Sequence, residues 1–206
     1  MKLSLKTKVL LATFAALVMA APAARAEILL FSDDFEQEAL GLNTTLDKWS
    51  VTFGTIDVVG TGSYDHLCAG GPSPARCVDL DGSTNDAATI LSHSFLLTPG
   101  DYELRFWLRG NTRGAAADTL DVTLTIGSLF TEQFVLNSSS PWSEYVRGFS
   151  YTGAPANVSL SFAHWGGDNQ GIILDNVSVA AVPEPATLGL LGGGLLAMLA
   201  RRRRRS

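Results

Sequence analysis

Asp175 lies in the run Gly171-Ile172-Ile173-Leu174-Asp175-Asn176-Val177-Ser178-Val179. Strict period-two alternation puts its carboxylate on the same face as Ile173, Val177 and Val179, which are core-like. A buried carboxylate is costly unless it is paired, hydrogen-bonded or bound to a metal, and no Lys or Arg lies nearby in sequence. Two arrangements would relieve it. A bulge at Asn176 would break the alternation and let Asp175 accept backbone N–H bonds, or a hard cation such as calcium would take its oxygens. Trp107 invites a different chemistry. It alternates with the apolar Tyr102, Leu104, Phe106 and Leu108, and shares the outward face with Glu103, Arg105 and Arg109. An aromatic ring among polar groups can stack on a sugar ring while arginines bond its hydroxyls. Trp49, Trp142 and Trp165 fit either a rim or a core. The histidines at 66, 93 and 164 carry no nucleophile elbow, H-E-x-x-H pair or phosphate loop with them, so the expectation is no catalytic residue and no enzyme.

The elements that must position these side chains are strands. Leu120, Val122, Leu124 and Ile126 alternate with polar residues, as do Val158, Leu160 and Phe162, and Gly, Pro, Asn and Ser separate such segments. No stretch of the body has a convincing helical period. Eight or so strands at this spacing predict an all-β fold, a jelly-roll β-sandwich. From Glu27 to Val182 the chain has 19 acidic and 6 basic residues, a balance of −13 against −5 for the whole. That acidity argues against nucleic acid and anionic lipid as partners and leaves carboxylates for calcium.

Both ends read as targeting segments. Lys2, Lys6 and Lys8 precede the apolar Val9 to Ala20, and Ala24-Arg25-Ala26 supplies small residues for cleavage before Glu27. Residues 1–26 are therefore expected to be a secretory signal peptide handled by the Sec translocon. Export makes a disulfide the default for Cys68 and Cys77, nine apart around a Gly- and Pro-rich loop. At the far end, Val182-Pro183-Glu184-Pro185 is held extended by its prolines. The uncharged stretch Ala186 to Ala200 follows, roughly 22 Å long as a helix, and reads as a single short transmembrane helix. Arg201 to Arg205 would hold its end in the cytoplasm.

Motif, span and basic cluster in this order resemble the PEP-CTERM sorting signal over residues 182–206. The resemblance implies recognition of Val182, Pro183, Glu184 and Pro185 by an exosortase in the inner membrane of a Gram-negative bacterium. It also implies a transient membrane anchor, then release or attachment at the cell surface or in an exopolysaccharide matrix. Residues 27–181 resemble galactose-binding-like jelly rolls. The segments carrying this likeness are Asp34-Phe35-Glu36, Trp49-Ser50-Val51, Cys77 to Ser83, Ile90 to Phe95, Thr98 to Tyr102 and the closing strand around Asp175. This second resemblance implies carbohydrate-binding modules and a structural calcium where first and last strands meet. Glu36 and Asp175 would be its ligands, with Asp34, Asp79 or Asp81 as contributors. The expected function is an exported, non-catalytic, carbohydrate-binding sandwich with exopolysaccharide as partner. A structural or adhesive matrix protein is the alternative, and a polysaccharide-active enzyme the third.

Overall fold

The computed structural model describes residues 27–73, 75–114, 117–124 and 129–183. The signal peptide, Glu184, Pro185, the expected membrane helix and the Arg cluster lie outside these residues. Among the described residues no helix is long and apolar enough to cross a membrane. Glu27–Val182 forms one compact unit.

The body is all-β. In chain order the strands are β1 (Ile28–Asp33), β2 (Gly41–Thr44), β3 (Trp49–Phe53), β4 (Ile56–Gly60), β5 (Arg76–Asp79), β6 (Thr89–Ser92) and β7 (Phe95–Leu97). They continue as β8 (Gly100–Arg109), β9 (Asp118–Leu124), β10 (Thr131–Leu136), β11 (Ser143–Tyr151), β12 (Ala156–Val158), β13 (Leu160–Trp165) and β14 (Ile173–Val182). One sheet is ordered β11-β8-β14-β5-β4-β2, with β1 also paired to β14. The facing sheet is ordered β10-β9-β13-β6-β3, and β12 pairs β7 separately. After β8 the chain crosses to the second sheet for β9 and β10, returns for β11, crosses again for β13 and returns for β14, the wrap of a jelly roll.

Alternation decides which side chains meet between the sheets. Leu104, Phe106 and Leu108 of β8 are fully buried against Leu120 and Val122 of β9 and Phe162 of β13 in one core. The Phe106 and Phe162 rings meet edge-on at 5.4 Å. Trp49 belongs to the same core, edge-on to Phe31 at 5.1 Å, and its Nε1 donates to Asp33 Oδ2 at 2.8 Å. Each such large side chain contributes about 1.5–3 kcal/mol through burial. The core, both sheets and a disulfide all lie within Glu27–Val182. This part therefore carries what a domain needs to fold alone.

A second, smaller core lies on the outer face of the seven-stranded sheet. Val59, Cys77 and Ile173 point outward there and are roofed by Leu67 and Cys68, with Trp142 packed alongside. Cys68 and Cys77 form the expected disulfide, with sulfurs 2.06 Å apart. A single turn of 3-10 helix, Asp65–Leu67, leads directly into Cys68.

Candidate functional site

Asp175 shares a face with Ile173, as the alternation predicts, but not with Val177 and Val179. The register of β14 against β8 shifts between Asp175 and Ser178, and Asn176 adopts a left-handed backbone with φ 48°. This bulge inserts one residue and flips the pattern. Leu174, Val177 and Val179 enter the main core, while Asp175 turns outward under the disulfide loop, where it is still wholly buried. Its Oδ2 accepts the Ser73 N–H at 3.2 Å, and Oδ1 has no partner. Burial first, then the charges of Glu36 and Asp34, push its pKa up to about 8 against the opposing pull of the Ser73 and Asn176 backbone N–H groups.

The five carboxylates expected to hold calcium divide between two places. Asp34 and Glu36 lie near Asp175, but Glu36 Oε1 already accepts N–H bonds from Ala75 and Arg76, at 3.2 and 3.0 Å. Asp34 Oδ1 accepts the Glu36 N–H. Asp79 and Asp81 serve a different loop. Asp79 Oδ1 accepts the N–H of Gly171 at 2.9 Å and of Asp81 at 3.1 Å, while Oδ2 meets the Arg113 guanidinium. Asp81 Oδ2 accepts the N–H groups of Gly167 and Asp168, at 2.9 and 3.1 Å. Among the described residues no group of three or more His, Cys, Asp or Glu has the placement to hold a metal ion. As arranged, these side chains do not make a calcium cage.

The outward face of β8 is also engaged. Arg105 pairs with Glu103 and Glu144. Arg109 Nη1 donates to the carbonyls of His66, Leu67 and Ala69 at 3.0–3.3 Å, and its guanidinium lies 5.6 Å from the Trp142 ring centre. Trp107 is half-buried, opposite Glu144 on one side and Asp175 on the other. This face carries the roof of the small core.

Among the described residues, the two most exposed aromatic rings lie on the five-stranded sheet. In β13 the residues Leu160, Phe162 and His164 point inward, so Trp165 points out and is 62% exposed. Its Nε1 donates to Asp121 Oδ2 at 2.8 Å, and Asp121 Oδ1 in turn accepts from Gln133 at 2.8 Å. The indole is thus fixed on the sheet although it is exposed. Phe53, 68% exposed, ends β3 just after a register shift against β6. Gly54 follows with φ 63°, and a Cβ there would come within 2.3 Å of the carbonyl oxygens of Asp86 and Ala87. That close approach needs glycine and brings the segment of Asn85 and Asp86 beside Phe53.

Phe53, Asn85, Asp86, Thr89, His164 and Trp165 line a groove of about 600 Å³, within the usual range for small-ligand sites. Behind it, Asp81, Asp79 and His164 hold the loop that follows Trp165. His164 Nε2 accepts the Ile172 N–H at 3.2 Å, which places the ring proton on Nδ1. Burial lowers the His164 pKa to about 4, against the opposing pull of Asp81 and Asp168, so the ring is neutral at pH 7. Burial, then Asp168 and Asp81, push Asp118 up to about 7. Burial also lifts Asp79 to about 7 and outweighs Arg113. Two buried atoms in this cluster, Asp81 Oδ1 and His164 Nδ1, have no partner.

Comparison with known proteins bears on the body and the tail separately. No curated protein matches the chain. Several solved structures do, at low identity. One is the CBM22-1–GH10 portion of endo-1,4-beta-D-xylanase 10B from Clostridium thermocellum, complexed with xylohexaose: 15% identity, TM-score 0.48, covering 77% of this chain but only 29% of that one. Another is the CBM22-1 xylan-binding domain of Paenibacillus barcinonensis Xyn10C, at 17% identity and TM-score 0.46 over 79% of this chain and 99% of that one. A third is the K1 cleaved adhesin domain of Lys-gingipain from Porphyromonas gingivalis W83, at 17% identity and TM-score 0.49 over 74% and 98%. The tail gives the specific result: residues 181–205 match the PEP-CTERM protein-sorting motif, and the match begins in the last two residues of β14.

Proposed function

We propose that this is an exported protein, sorted through its PEP-CTERM tail by an exosortase, whose body binds carbohydrate without acting on it. The observation carrying the binding function is the groove between Phe53 and Trp165. Two large rings, each more than half exposed, flank a cleft that also offers an amide, a carboxylate and a hydroxyl. Apolar faces of sugar rings stack on such side chains, and the polar groups fix the orientation of the hydroxyls. The Asp121 bond holds the indole in place before a ligand arrives, which lowers the ordering cost of binding. The sorting tail supports export and transient anchoring, and an extracellular polysaccharide is the polymer such a protein would meet.

The test is binding of residues 27–182 to the producing organism's own extracellular polysaccharide. Saturable binding is expected, weakened roughly 5- to 30-fold by Trp165→Ala and by Phe53→Ala, equivalent to about 1–2 kcal/mol. Trp107→Ala should leave the affinity unchanged. Loss in Trp107→Ala alone would move the site to the outer face of the other sheet, with Arg105 and Arg109 as its polar groups. No binding by the unaltered body would favour a structural matrix protein, and release of sugar products an enzyme.

A further inference from the structure

We infer that the groove selects glycans bearing protonated primary amines, such as glucosamine polymers, over neutral and acidic ones; this rests on the carbohydrate-binding reading above. Three observations carry it. The first is the absence of a free cation. All six basic side chains between Glu27 and Val182 are committed: Lys48 lies 3.6 Å from Asp33, Arg76 bonds the Glu36 carbonyl, and Arg109 bonds the roof loop. Arg105, Arg113 and Arg147 pair with Glu103, Asp79 and Glu132. None of them lines the groove. With a balance of −13 and no basic group at the cleft, a uronate or sulfated polymer would be repelled.

The second is Asp86. It is exposed at the groove wall, and among the described residues its carboxylate has no hydrogen-bond or ion-pair partner. An ammonium group on the ligand would supply one. The third is the Trp165 ring. Its N–H donates to a carboxylate, Asp121, which pushes electron density into the indole and deepens the attraction of its face for a cation. An amine on a sugar stacked beside Trp165 therefore meets a polarised ring and an unpaired carboxylate together. Asp81 and Asp168 lie behind the same wall and add to the negative potential.

The experiment is calorimetric titration of residues 27–182 with three oligosaccharides of equal length. These are a glucosamine oligomer at a pH where its amines are protonated, its N-acetylated counterpart and an oligogalacturonate. The glucosamine oligomer is expected to bind roughly tenfold tighter than the acetylated one, an exposed ion pair plus a cation–π contact. No binding of the oligogalacturonate is expected. Asp86→Asn, an exposed change that leaves the core intact, should erase the preference, and so should high salt. Equal affinity for the amine and acetylated oligomers, both weakened by Trp165→Ala, would overturn the selectivity and leave the glycan groove standing. A preference for the oligogalacturonate would do the same. Amine binding untouched by both Asp86→Asn and Trp165→Ala would overturn the location. Equal binding of an oligolysine of matched charge would make the ligand a peptide and overturn both readings.

Discussion

Asp175 shows what one buried carboxylate does to the pH response of the fold. Its ordinary pKa is 3.8, and burial raises it to about 8 in the folded chain. Between those values the folded state holds a proton that the unfolded state has released. The unfolded state therefore binds fewer protons, and stability falls as pH rises from about 4 to about 8. Asp79 and Asp118, both lifted to about 7, add to the same slope. Asp175→Asn keeps the shape and removes the charge. It is expected to raise the melting temperature at pH 8, to change it little at pH 4, and to flatten the pH dependence in between. The same melting curves test calcium. If a proton holds Asp175, chelator has no effect. A melting temperature lowered by chelator in the parent and unaffected in Asp175→Asn would instead place a cation there.

At the scale of elements, the disulfide loop is a roof that β8 helps to hold. Arg109 bonds the carbonyls of His66, Leu67 and Ala69 on either side of Cys68, and Trp142 packs against the small core beneath. Replacing Cys68 and Cys77 by serine frees a loop of about ten residues and should cost roughly 2–3 kcal/mol, read as a lower denaturant midpoint. The strands themselves were legible in the sequence. The alternation of β8 and β9 places Leu104, Phe106, Leu120 and Val122 inward, as found. The bulge at Asn176 was legible only as one of two alternatives for Asp175, and the shift ahead of Phe53 not at all, because one inserted residue carries no compositional mark beyond an Asn tolerant of positive φ. Asn176 thus moved Asp175 away from Val177, and a register shift ahead of Phe53 hid its exposed ring. Alternation also assigned Trp107 correctly to the outer face but said nothing of the loop that roofs part of it. Trp165 could have been found by extending the Leu160, Phe162 pattern two residues. That step requires accepting a buried histidine at 164, which only the Ile172 bond makes plausible.

For the molecule as a whole, the PEP-CTERM motif over residues 181–205 and the signal peptide expected ahead of Glu27 make processing the property to test. Intact-mass analysis of the protein from its native host is expected to show a chain that starts at Glu27 and lacks the Arg cluster. A retained full C-terminus would defeat the sorting reading. The body itself begins and ends in one place. β1 and β14 run antiparallel with Ile28 opposite Ala181, and Val182 still pairs with Asp101 of β8. The start of the first strand and the end of the last are neighbours, as the two arms of a hairpin are. Joined there by a short linker, the strands would form a closed ring with no disturbance to either sheet. The ring could be opened at an exposed turn such as 152–155 to give a circular permutant of the same sandwich, because the fold depends on which strands lie side by side and not on which comes first.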